Sequence, residues 1–96
     1  MKVVWSKEAT DRLDEIEAYI APENETAAVK IILSLINKTM SQLTSYPASG
    51  KPGRLTGTRE LFFSDSPFAI VYTVHKETIN IITVFHTAQN FQADQD

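Results

Sequence analysis

The run Gly50-Lys51-Pro52-Gly53-Arg54-Leu55-Thr56-Gly57-Thr58-Arg59-Glu60-Leu61 divides the chain into two structural regimes. It holds all three glycines, one of the four prolines and two of the three arginines. Glycine and proline interrupt both helical and strand patterning, so the run reads as a hinge loop exposed to a partner. Upstream, apolar residues recur at helical spacing; downstream, β-branched and aromatic residues dominate. Helices first and strands afterwards is the pattern of an α+β domain.

Working upstream from the hinge, Ala28, Ile31, Ile32, Leu35, Ile36, Met40 and Leu43 mark a broad apolar stripe. They predict a helix that opens at Asn24 or Glu25 and stops at Tyr46-Pro47. Pro22 breaks the chain ahead of it. A first helix over 7–20 is predicted by Ala9, Leu13, Ile16, Tyr19 and Ile20 on one face, with Ser6 as its N-cap. The two make an antiparallel hairpin. Lys2-Val3-Val4-Trp5 reads as an opening strand.

Downstream, residues 60–63, 68–74 and 78–85 form three β-rich runs with no internal Gly or Pro. Ser64-Asp65-Ser66-Pro67 and His75-Lys76-Glu77 supply the turns, so these runs predict an antiparallel meander that the opening strand joins. The expected architecture is thus α+β, β-α-α-β-β-β, with the N-terminal helical hairpin packed on a three- to four-stranded antiparallel sheet. Residues 1–96 form a single domain, with a polar tail over about 88–96. The last two runs are apolar on both faces, so they are central strands, covered by the hairpin on one side. The other side is either covered as well or left for a partner.

Composition narrows the function. The chain has no cysteine, which excludes disulfides and thiolate chemistry and points to a reducing, cytoplasmic setting. The N-terminus has no signal-peptide core and no apolar run is of membrane-spanning length, so no membrane partner is expected. Net charge is −3, unevenly spread. Residues 8–25 carry seven acids against Arg12 alone, whereas 26–59 carry five bases and no acid. This disfavours affinity dominated by phosphate neutralisation. The acidic face of the first helix is either simply solvated or docks a basic partner segment. Neither a Gly-rich phosphate loop nor a metal-ligand cluster is visible, so no cofactor and no metal are expected.

Several pieces together resemble the RelE/ParE toxin family, closest to the ParE-like branch, over about residues 2–90. They are Trp5-Ser6, a Tyr-Pro followed by Gly50-Lys51-Pro52-Gly53-Arg54, Gly57-Thr58-Arg59-Glu60-Leu61, Ile70-Val71-Tyr72-Thr73-Val74, and Ile79 to His86 followed by Gln89. The resemblance implies a bacterial type II toxin–antitoxin system, of the kind linked to plasmid stabilisation, with a cognate antitoxin that wraps the toxin. In the ParE-like branch it implies inhibition of DNA gyrase, and hence of replication, by binding. In the RelE-like branch it implies ribosome-dependent cleavage of mRNA. Thr87-Ala88-Gln89-Asn90-Phe91 departs from the more basic endings of the ParE-like branch.

The ribonuclease trio of the family is Glu, Arg and His. Position by position, its Glu falls on Gly53, its Arg on Ala69, and only its His survives, as His86. Cleavage by 2′-OH attack needs a base, an acid and a cation, so an enzyme is not the expected outcome. Lys38 is the one basic candidate in the relevant half of the second helix. His86 is either a weak catalytic candidate or a structural hydrogen-bonder. Arg54, Arg59 and Lys51 are the partner- or target-binding candidates. The alternative for the arginines is pairing with Glu60 or with the acidic first helix; for Lys51 it is solvation. His75 is expected to be solvated in its turn, and Trp5 and Tyr72 to lie in the core.

Overall fold

The structure, a computed structural model, describes residues 1–88. All but the first residue of the polar tail expected over 88–96 therefore lies outside the described residues. The chain runs β1 (Lys2–Trp5), α1 (Lys7–Ile20), α2 (Glu25–Ser45), β2 (Lys51–Pro52), β3 (Arg59–Leu61), β4 (Phe68–His75) and β5 (Thr78–His86). Its sheet has five strands in the order β1-β5-β4-β3-β2. This corrects the expectation of three to four antiparallel strands in two respects. β1 pairs with β5 in parallel, so the sheet is mixed. The fifth strand is β2, a two-residue piece inside the run read as a loop, antiparallel to β3. Hairpin logic applies only to strands that are neighbours in sequence, and β1 meets a strand from the opposite end of the chain.

Both helices begin on the caps their sequences offer. The Ser6 hydroxyl accepts the Ala9 N–H at 3.0 Å and donates to the Ile82 carbonyl at 2.7 Å, so one side chain starts α1 and ties it to β5. The Asn24 side chain accepts the Ala27 N–H at 2.9 Å at the start of α2. Ala9 and Leu13 of α1 and Ala28, Ile32, Leu35 and Leu43 of α2 are buried, as the stripes require. Tyr19 is not; it is 86% exposed. Among the described residues no helix is long and apolar enough to cross a membrane.

The pleat assigns the strands two faces. Leu61, Phe68, Ile70, Tyr72, Ile79, Ile81 and Val84 face the helices and form the main core, against which the half-buried Val3 and Trp5 pack. Ala69, Val71 and Phe85 form a second buried cluster on the outer face, with Ile82 packed against it. The register slips between these faces at one point. Val71 pairs with Thr83 but Tyr72 pairs with Ile81, leaving Ile82 as an extra residue. Such a bulge exchanges inward and outward positions along its strand. Odd-numbered residues of β5 face the helices before Ile82 and even-numbered ones after it, which turns His86 toward the helices and Phe85 away.

The hinge is tightly built. Gly57 takes φ +85° at the third position of a turn closed by the Thr58 N–H donating to the Leu55 carbonyl at 3.1 Å. A side chain would be strained there. β4 extends through His75, which pairs with Thr78, so the expected three-residue turn shrinks to Lys76-Glu77. Tyr72 is fully buried, and its hydroxyl accepts the Gly50 N–H at 2.8 Å while donating to the Pro47 carbonyl at 2.9 Å. The exit from α2 is thereby fastened to the middle of the sheet.

Candidate functional site

An open groove of about 830 Å³ runs between the helical hairpin and the end of the sheet where β4 begins and β5 finishes. Its floor is apolar, from Ile16 and Ile20 of α1, Ile31 and Leu35 of α2, and Phe68 and Val84 of the strands. Around it stand Arg12, Glu15, Lys30, Lys38, Asp65 and His86. A concave apolar surface with a few polar groups at its rim is the usual form of a binding site.

Most of the rim charge is already paired. Arg12 reaches Glu15 at 3.2 Å and its Nε–H donates to the Val84 carbonyl at 3.3 Å. Lys38 Nζ donates to Asp65 at 2.7 Å and lies 5.3 Å from the centroid of the Phe63 ring. The hydrogen bond and the charge of Lys38 hold the Asp65 carboxyl below its ordinary value of 3.8. Lys30 makes no ion pair among the described residues.

His86 is half-buried at the groove and packs edge-to-face on Phe68, ring centroids 5.2 Å apart. Its Nδ1 accepts the Ala88 N–H at 3.0 Å. The two ribonuclease positions expected to stand with it do not join it. Ala69 is fully buried on the outer face, opposite to the one His86 occupies. Gly53 sits in the hinge, where a Cβ would collide with Thr58 Oγ1. Among the described residues no group of three or more His, Cys, Asp or Glu could hold a metal.

The partner-binding candidates lie on the other side of the sheet or in the hinge. Arg59 donates to the Gly50 carbonyl at 2.7 Å and the Ala48 carbonyl at 3.3 Å, lacing β3 to the segment after α2. The Arg54 N–H donates to Glu60 at 3.0 Å, and its guanidinium lies 5.4 Å from the Phe85 centroid. Lys51 is exposed, with Nζ 4.6 Å over the Phe62 ring, which in turn meets Phe85 edge-on at 6.1 Å. His75 is exposed. Two features carry no sequence signal of their own: the groove cluster of Arg12, Asp65 and Phe68, and the burial of Glu60. Both depend on elements distant in the chain meeting in space.

Residues 3–91 match the family profile described as ParE toxin of type II toxin-antitoxin system, parDE. The chain belongs to the ParE toxin family. A Sinorhizobium fredii protein named "Putative toxin Y4kP" is 39% identical over 90 residues, spanning 94% of this chain and 92% of its own. Among solved structures, the chromosomal ParDE toxin–antitoxin system of P. aeruginosa superposes with a TM-score of 0.77 at 22% identity, over 90% of this chain and 95% of that one. The RelBE2 toxin–antitoxin complex of Mycobacterium tuberculosis superposes with a TM-score of 0.68 at 20% identity, over 92% of each chain. At such identities the two structural likenesses establish the fold. The ParE-family chain has the β-α-α-β-β-β order with the two-residue β2 added after the helices, on a five-stranded sheet.

Proposed function

We propose that this ParE-family chain is the toxin of a type II pair that acts in the cytoplasm by binding DNA gyrase, without cutting RNA, and that a cognate antitoxin neutralises it. The observation that carries the binding mode is the separation of the ribonuclease positions: Ala69 lies on the outer sheet face, His86 on the helix side, and Gly53 has no room for a side chain. A phosphoryl-transfer site lacking its base and its cation loses about a hundredfold or more for each role. The antitoxin partner is supported by both structural relatives, which are toxin–antitoxin assemblies. Gyrase as target rests on the ParE branch of the family. The deciding experiment is gyrase supercoiling in the presence of purified toxin. Inhibition that added antitoxin relieves is the expected result, and full supercoiling at saturating toxin removes the gyrase assignment.

The second reading, a ribosome-dependent mRNA endoribonuclease, is favoured by one observation: His86 shares a groove with Arg12, Lys30 and Lys38. It requires cleavage on programmed ribosomes that His86→Ala abolishes. Arg54, Arg59 and Lys51 are proposed as target or antitoxin contacts. For the two arginines this role stands beside the hydrogen bonds they make within the chain.

A further inference from the structure

We infer that His86 supplies the groove with a fixed hydrogen-bond donor, its Nε2–H, and takes no part in proton transfer. This rests on the binding reading only for the identity of the occupant, a polypeptide segment of the antitoxin.

A neutral imidazole carries one N–H, and the hydrogen bond made by one nitrogen dictates the state of the other. Here the backbone N–H of Ala88 donates to Nδ1 at 3.0 Å, so Nδ1 offers its lone pair and the proton sits on Nε2. A general base needs a free lone pair facing the substrate, but the Nδ1 lone pair is engaged by the chain itself and Nε2 already holds hydrogen. A general acid would be the imidazolium, whose Nδ1–H would confront the Ala88 N–H, donor against donor. The edge-to-face contact with Phe68 at 5.2 Å restrains the ring, and the clamp of the Thr87 N–H on the Pro67 carbonyl at 2.7 Å holds the segment that supplies the Ala88 donor. What remains on the ring is the Nε2–H, carried by a residue that lines the apolar groove.

The groove's chemistry selects the occupant. Arg12 is paired with Glu15 and Lys38 with Asp65, leaving Lys30 as the rim cation without an ion pair among the described residues. A polyanion such as RNA would meet two acids for every three cations. A peptide with apolar side chains for Ile16, Ile31 and Leu35 meets a matching floor. Such a peptide must place an oxygen acceptor, a carbonyl or a carboxylate, opposite Nε2, because a buried donor without a partner weakens binding.

Long-range proton–nitrogen correlation spectra of the ¹⁵N-labelled chain, with His86 assigned by its loss in His86→Gln, test the tautomer directly. In the neutral imidazole a proton on Nε2 and none on Nδ1 is expected; a neutral ring that carries its proton on Nδ1 overturns the inference. Calorimetric titration with the cognate antitoxin tests the donor. His86→Gln, whose side-chain amide keeps a donor, is expected to bind like the parent, and His86→Leu about tenfold more weakly. Equal weakening of both variants, or no weakening of either, overturns the donor role, as does ribosome-dependent RNA cleavage that either variant abolishes. A gyrase assay with no inhibition leaves the inference standing while removing the proposed target.

Discussion

Glu60 and Arg54 meet across the base of the hinge: the Glu60 carboxylate, on a side chain only 2% exposed, accepts the Arg54 backbone N–H at 3.0 Å and lies 3.7 Å from the Arg54 Nε. A buried carboxylate is tolerated only where hydrogen bonds or charge satisfy it, and here one residue provides both. Removing the acceptor strands the Arg54 N–H. Glu60→Ala is expected to lower stability by about 1–3 kcal/mol in urea denaturation, and Glu60→Gln, which keeps a carbonyl oxygen, by less. Equal effects of the two would mean that the interaction depends on charge alone.

Gly50 is held against Tyr72 so closely that a Cβ there would lie 2.7 Å from the hydroxyl and 2.9 Å from the Glu60 backbone carbonyl. Gly50→Ala should cost about 1–3 kcal/mol through overpacking. Tyr72→Phe should cost a similar amount by orphaning the Gly50 N–H. The double variant should lose less than the sum, since deleting the hydroxyl opens part of the space. A strictly additive cycle in denaturation would contradict this geometry.

Placing at position 53 the carboxylate expected of the ribonuclease branch should fail twice. In Gly53→Glu the new Cβ displaces Thr58 Oγ1, which donates to the Leu55 carbonyl at 2.7 Å, so stability should fall by about 1–3 kcal/mol. No RNA cleavage should appear on programmed ribosomes, because Ala69 and His86 remain on opposite faces. Cleavage by this variant would revive the ribonuclease reading.

Arg59 spans β3 and the segment after α2 through two backbone carbonyls. Arg59→Ala should destabilise by about 1.5–3 kcal/mol, the range for hydrogen bonds from a charged donor. If Arg59→Ala together with Arg54→Ala leaves antitoxin binding and toxicity intact in a folded protein, neither arginine contacts a partner.

The Lys38–Asp65 pair should show itself in the acid limb of stability. The hydrogen bond and charge of Lys38 depress the folded-state carboxyl, so the pair stabilises above the ordinary carboxylate value of 3.8 and loses that contribution as pH falls through and below it. The stability gap between the parent chain and Asp65→Asn should therefore be level near neutrality and close in acid. Because Asp65 is exposed, the gap should also shrink with added salt. A gap that widened on acidification would refute the pairing.

Both helices are legible in the sequence, because caps such as Ser6 and Asn24 and the apolar stripes act within a few residues of each other. The family was legible in the order of short motifs. Periodicity places Tyr19 on the apolar face of α1 without saying how far that face is covered, and it stands 86% exposed. Of the site, His86 was legible as a residue but not as a member of a groove, and Glu60 as a pairing partner but not as buried.

Sequence alone determined the types and order of β1, α1, α2, β3, β4 and β5, and the absence of side-chain chemistry at Gly53 and Ala69. These follow from local propensity and residue identity. Tertiary structure alone decided the parallel pairing of β1 with β5, the extra strand β2, and the bulge at Ile82 that turns His86 toward the helices. Strand pairing across the chain and a one-residue register slip arise from packing between distant segments, and no local pattern encodes them. The hinge at residues 50–61 belongs to both accounts. Its glycines and Pro52 announce a break in the chain, while its shape comes from Tyr72 reaching into it from β4 and from Arg59 and Glu60 of β3 bonding back onto it.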